Sequence, residues 1–413
     1  MPDQPQSAQP APAAAQPATP VAPAVATDSS APATPVAPSD SPAPSVAAAA
    51  PVDLEALIPD DVQRPGSGKK RGLIKGRGLA WAIVVLLFVL LAVCFFGSFA
   101  FGKYSLSLDE TFQIISHMLF GTEATYPKSS ETVFLQIRLP RLVTCVLAGA
   151  ALSVSGAVYQ GIFKNPMVSP DLLGASSGSA LGACAGILMG FSFAKIHIVA
   201  FLCGLLAVGL TMSISSAVSR KQNSVITIIL TGMVVSALFQ AGVSIAQTIA
   251  DPDTDLATIT FWLMGSMTKL TFANLPILII PVCIGLVPIM LLRYRLNILS
   301  FGDEEAKTLG LNVRALRLVF ILSSTLITSA TVACCGMVGW IGLVIPHLLR
   351  IVLGPDYRLL VPASIAGGGL FLVLVDNITR VLCQVEISIG ILTALVGAPF
   401  FLILLLKGRK GWV

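Results

Sequence analysis

Residues 174–190 read GASSGSALGACAGILMG, with Gly174, Gly178, Gly182, Gly186 and Gly190 at a strict interval of four. In an exposed helix in water each such glycine costs about 1 kcal/mol against alanine. A loop has no use for the period. The stretch makes sense in a bilayer. Lipid tails are as apolar as leucine, so helices there associate through close van der Waals contact, which small residues permit. A stripe of period four drifts slowly around a helix of about 3.6 residues per turn and leaves a long groove for a crossing neighbour. The segment 141–162 offers one, because Gly149, Ser153 and Gly156 share a face there. Upstream, Ser169 reads as a cap, Pro170 as a first-turn residue and Asp171 as a charge that suits the positive helix end. The functional alternative, a phosphate cradle, lacks the preceding strand and the following lysine of a Walker motif.

The composition agrees with a bilayer. Of 413 residues, 55% are hydrophobic and only 11% charged, with a mean hydropathy of +0.85; soluble domains carry about 25% charged residues. The apolar residues fall into runs near the roughly 20 residues that cross a membrane, of which LAWAIVVLLFVLLAVCFFGSFAF (79–101) is the clearest. Further spans are expected at about 141–162, 172–190, 196–217, 225–249, 273–292, 317–334, 336–353, 359–382 and 387–406, ten in all. The segment 255–270 reads as a short helix that does not cross. The formal charge of +5 comes from basic residues scattered between apolar runs, which is no nucleic-acid signal. The eight cysteines all lie in apolar runs without metal-site spacing and read as small apolar residues.

Residues 1–68 differ in kind. Fifteen of the 27 prolines lie in 1–66, among Ala, Ser, Thr and Val without helical period. A disordered tail is expected, followed by a transmembrane domain over 69–413 that opens on the basic collar KKRGLIKGRG (69–78). Ten spans put both termini on one side. Nineteen of the 26 lysines and arginines then fall on that side, so the positive-inside rule makes the termini cytoplasmic.

No hydrolase, zincin or nucleotide-binding motif occurs, so no catalytic residue and no metal site is expected. Asp376, in LVLVDNITR, is the exceptional acid inside a span; it lies four residues before Arg380 and reads as an ion pair or as a transport group. A proton-coupled carrier or channel would want several such acids, and the chain does not offer them. Two polar constellations remain. Arg138 and Arg141 in RLPR, with Arg380, stand against the topological charge bias on the outward side; carboxylate recognition and headgroup anchoring are both open. LSFGDEEAKTLGLNVRALR (299–317) is an inward amphipathic loop. Leu299, Phe301, Ala306, Leu309 and Leu311 form its apolar side, Asp303, Glu304 and Glu305 its acidic first turn, and Gly310 its stop. Such a helix suits a partner's groove, while three adjacent acids face an anionic leaflet badly.

RLPRLVTCVLAGAALSVSGAVYQGIFKNPMVSPDLLGASSGSALGA (138–183), FWLMGSM (261–267), LSFGDEEAKTLGLNV (299–313), GWIGLVIPHLLR (339–350) and ISIGILTALVGAPFFLILLLKGR (387–409) occur in that order. Together they resemble the iron-chelate, haem and cobalamin (FecCD-type) permeases of ABC importers, over about 80–409. The resemblance implies an all-α integral membrane protein of the type II ABC importer permease fold. It implies a multi-pass subunit of the inner membrane, usually paired with a second permease copy. Each copy sits on an ABC ATPase subunit, which holds the ATP and Mg; the permease itself binds no cofactor. A periplasmic or lipid-anchored substrate-binding protein delivers an iron chelate, a ferric siderophore or haem, with cobalamin as the alternative. By position, Arg138, Arg141 and Arg380 correspond to the residues that dock the binding protein. Phe301, Gly302, Asp303, Glu304, Glu305, Ala306, Leu309 and Gly310 correspond to the loop that couples to the ATPase. Asn223, Ser224, Val225 and Ile226 correspond to the cytoplasmic gate, where NSVIT is more apolar than the usual Ser/Thr-rich stretch.

Overall fold

Hydropathy this high leaves the backbone one inexpensive way through lipid, the α-helix, which satisfies its own N–H and C=O groups. The structure, a computed structural model, describes residues 76–408 apart from 103, 105, 122, 124, 219–224, 269 and 383–386. The expectations for residues 1–68 lie outside the described residues. The helices are α1 (Arg77–Gly97), α2 (Leu108–Phe120), α3 (Lys128–Thr132), α4 (Leu139–Ile162), α5 (Ala175–Leu188), α6 (Phe193–Val218), α7 (Val225–Ile249), α8 (Asp255–Leu263), α9 (Pro276–Phe301), α10 (Asp303–Thr308), α11 (Val313–Cys335), α12 (Ile341–Leu353), α13 (Tyr357–Leu382) and α14 (Ile389–Gly408). Seven helical runs are long and apolar enough to cross a membrane, and α5, α12 and the apolar part of α14 are shorter. The molecule is all-helical, and these ten elements fall on the ten expected spans.

The centre is the continuous run Lys128–Ile162, in which a π-helical stretch, Val133–Arg138, joins α3 to α4. Of its most apolar window 83% is buried, against 17% for α1, so α4 is a core helix and α1 a lipid-facing one. What lets helices crowd around α4 is the absence of Cβ atoms. A Cβ on Gly149 would lie 2.2 Å from Gly368 O of α13, and one on Gly156 would lie 1.7 Å from Gly342 O of α12. The α5 stripe therefore has a different neighbour from the one expected. Its partner is α6: a Cβ on Gly178 would lie 2.5 Å from Cys203 O, one on Gly182 would lie 2.8 Å from Val199 O, and Gly186 abuts Ile196. The two end glycines serve another purpose. Gly174 (φ +90°) and Gly190 (φ +63°) take left-handed backbone that turns the chain into and out of α5.

The short elements show why boundaries moved. The stretch 170–173 is a 3-10 turn that ends at Gly174, so α5 starts at Ala175 rather than near 172. Ser169 makes no side-chain cap there, and Asp171 instead accepts a hydrogen bond from Ser176 Oγ. Residues 336–340 are not helical, because Gly336 and Trp340 both have positive φ, +73° and +71°. Non-helical backbone at this depth is tolerated where protein covers it, and Gly336 is pressed so closely on α8 that a Cβ would lie 2.2 Å from Trp262 O. Between α1 and α3 the structure has a helix that the hydropathy did not announce, α2. Its signal was the capping box Ser107–Glu110: Ser107 Oγ accepts from Glu110 N at 3.0 Å and Glu110 Oε2 from Ser107 N at 3.2 Å.

Candidate functional site

At one end of the bundle α1, α4 and α13 meet around charge. Arg138 and Arg141 lie one turn apart at the start of α4, and Asp376 and Arg380 one turn apart near the end of α13. Arg141 Nε donates to Asp376 Oδ1 at 2.7 Å, and Arg380 Nε lies 3.0 Å from the other carboxylate oxygen. Arg380 Nη1 also donates to Phe101 O at 3.1 Å, and its Nη2 to Asn377 Oδ1. Asn377 Nδ2 in turn donates to Ser98 Oγ at 2.6 Å. Arg138 donates to the carbonyls of Phe99 and Tyr104. Thus the carboxylate ties α4 to α13, while the guanidinium groups tie both to the chain that leaves α1.

The three arginines, read from the sequence as outward residues open to carboxylates or headgroups, are buried. Arg138, Arg141 and Arg380 are 5%, 5% and 7% exposed, and Asp376 is fully buried. The physical reason is the chain that leaves α1, at Ser98, Phe99, Phe101 and Tyr104. It folds over the helix ends and presents carbonyls, which solvate a guanidinium almost as water would. Arg141 and Arg380 share the carboxylate of Asp376, while Arg138 is held by backbone carbonyls. Buried charge on that scale is held at a cost and marks a site rather than a source of stability.

A cavity of about 230 Å³ opens beside Arg141. Ser266, Thr268 and Ser388 line it together with Met267 and Phe261. The turn that carries the first two hydroxyls is pinned on both sides: Ser266 N donates to Cys335 O at 2.8 Å, and Gly390 N donates to Met264 O at 3.2 Å. Ser266 Oγ and Thr268 Oγ1 are 2.7 Å apart. Ser388 immediately precedes α14 and Ile389 begins it, so the cavity faces the first turn of a 20-residue helix. FWLMGSM (261–267) carries the family resemblance but has no spacing that assigns its hydroxyl a binding role, which is why the sequence did not point to this cavity.

The opposite end carries α10, because α9, 26 residues long, separates it from the 264–268 turn by about 39 Å at 1.5 Å per residue. Asp303, Glu304 and Glu305 occupy the first turn of α10, and Gly310 stops it with φ +75° and a bond from its N–H to Lys307 O at 2.9 Å. The apolar side expected for 299–311 divides in two. Leu299 and Ala306 are buried and anchor the helix, while Phe301 and Leu309 are 71% and 65% exposed. Arg317 Nη2 holds Asp303 from α11, at 2.9 and 3.0 Å from its two oxygens, which fixes the direction in which α10 projects. Gly302, buried, makes the bend between α9 and α10. Of the four gate positions, Asn223 and Ser224 lie outside the described residues; Val225 and Ile226 open α7, where Ile226 is 66% exposed.

Comparison with known proteins was made on this geometry. The sequence pattern of the FecCD transport family matches residues 90–407. The molybdate import system permease protein MolB of Haemophilus influenzae is 39% identical over 328 residues, 79% of this chain and 95% of that protein. The hemin transport system permease protein HmuU of Yersinia pestis is 37% identical over 350 residues, 82% of this chain and 99% of that protein. The cobalamin import system permease protein BtuC of Halobacterium salinarum is 35% identical over 280 residues, 68% of this chain and 74% of that protein. Among solved structures, a metal-chelate type ABC transporter in an inward-facing conformation matches with a TM-score of 0.71 and 37% identity, over 79% of this chain and 99% of that one. The bundle's topology, the family pattern over residues 90–407 and the match over 99% of the hemin permease place the chain in the FecCD transport family, as a multi-pass permease subunit of an ABC importer.

Proposed function

We propose that this permease moves an iron chelate, a ferric siderophore or haem, inward across the inner membrane. The observation that carries the reading is the match to the hemin permease over 99% of that protein's length. A second reading is favoured by the 39% identity to the molybdate permease, which makes an oxyanion the competing cargo; cobalamin is the third. Two copies paired through lipid-facing α7 would enclose the pathway. The exposed ridge of Ile226, Leu230, Met233, Val234 and Leu238 on that helix supports the pairing. Both termini are taken as cytoplasmic, on the charge bias. ATP and Mg belong to ATPase subunits beneath α10, whose acidic first turn and exposed Phe301 and Leu309 suit a groove. Val225 and Ile226, with Asn223 and Ser224 before them, stand as the gate.

For docking, the buried arginines act through their field rather than by direct contact. The positive field is local to the three guanidinium groups, since the same side also carries the acids Asp109, Glu110, Glu123 and Glu131, and its effect is expected in on-rate and salt dependence more than in affinity. The cargo is tested with the complex reconstituted in liposomes with its ATPase and binding protein, by uptake of ferric siderophore and haemin in competition with molybdate and cobalamin. Uptake of an iron chelate undiminished by excess molybdate supports the reading. Uptake of molybdate alone sinks it.

A further inference from the structure

We propose that the cavity beside Arg141 is a binding site for an oxyanion group of the transported ligand, either a carboxylate on a chelate or a free tetrahedral oxyanion. This rests on the permease reading above and adds the charge class of the cargo. Three observations converge. The network beside the cavity gathers the buried guanidinium groups of Arg138, Arg141 and Arg380, two of them on the carboxylate of Asp376. Arg141 uses Nε on Asp376 and itself lines the cavity. Three hydroxyls, of Ser266, Thr268 and Ser388, share that lining, and no acidic side chain among the described residues does.

The size argues for a group rather than a whole chelate. About 230 Å³ is below the roughly 300–1,000 Å³ of pockets that enclose drug-sized ligands. It accommodates a carboxylate or a tetrahedral oxyanion, with the rest of a larger cargo lying over exposed Phe261 at the rim. Rigidity suits the role as well. The 264–268 turn is bonded to Cys335 O at the end of α11 and to Gly390 N in α14, so the hydroxyls are held in place before a ligand arrives.

The test uses the full-length permease in lipid nanodiscs, without its binding protein. Equilibrium dialysis with labelled molybdate and with labelled citrate distinguishes the two sources of oxyanion. Saturable binding of at least one is expected, weakened roughly tenfold or more by Ser266→Ala with Ser388→Ala, since each change removes a donor to a charged acceptor. Arg141→Gln should abolish binding, but it also breaks a buried ion pair, so the hydroxyl variants decide. If the double variant melts early, Ser388→Ala alone takes its place. Absence of saturable binding to wild type overturns the proposal, as does wild-type affinity in the hydroxyl variants. Should those variants bind anions normally and slow only binding-protein docking, the cavity receives a carboxylate of that protein and the proposal is wrong. Uptake that prefers molybdate, with permease binding intact, would sink the iron-chelate reading and leave this site standing; the opposite pair of results would do the reverse.

Discussion

Asp376 neutralises more than its own charge. It is fully buried and accepts from an arginine on its own helix and from one on α4. Removing one partner of a buried pair leaves an uncompensated charge and costs about 3–5 kcal/mol. Asp376→Asn should therefore lower the detergent melting temperature sharply. Glu304→Gln, at a side chain 83% exposed in its pair with Lys307, should leave melting unchanged. Equal melting of the two variants would mean that the network carries no structural load. The sequence showed half of this arrangement. Arg380 follows Asp376 by one helical turn, and that pair was legible from spacing alone. Arg141 lies 235 residues away, and nothing local announces which acid it meets. The same holds for the burial of all three arginines, because the covering chain that leaves α1 has no motif that declares where it folds.

At the level of the helices, what was legible followed from the solvent. An apolar run must be a helix in lipid, so its existence is certain, whereas its partner depends on which backbone can approach most closely. The period of the α5 stripe declared a crossing, and the absent Cβ atoms of α4 left more than one candidate for it; α6 won because Cys203, Val199 and Ala200 bring backbone and small atoms to the stripe. Gly178→Leu and Gly182→Leu should each destabilise by about 1–3 kcal/mol through overpacking, read as lower detergent melting. Gly209→Ala is the contrast, since a Cβ there meets nothing within 4 Å. Near-native melting of both leucine variants would mean that the stripe does not hold α6. For α10, Glu304→Lys with Glu305→Lys reverses exposed charge without touching the buried anchors Leu299 and Ala306. Uptake and binding-protein-stimulated ATP hydrolysis should fall together at normal membrane levels. Normal uptake in that variant removes α10 from the ATPase contact.

Across the whole molecule, the polypeptide divides by composition into a proline-rich stretch and the helical bundle, and the family match begins only at residue 90. Deleting residues 2–66 while keeping the basic collar should leave insertion and transport intact, because orientation is set by the charges at the first span. Loss of uptake at normal membrane levels would assign the tail a function. One contact inside the bundle bears on how such a machine can move. Gly156 of α4 meets Gly342 of α12 so closely that a Cβ would lie 1.7 Å from the carbonyl oxygen. Two backbones that touch have no side chain to re-rotamer and no slack to take up, in an interior already as dense as a crystal. The expected consequence is that α4 and α12 move together at this point, so a cysteine pair placed across it should crosslink equally well whatever the state of the transporter.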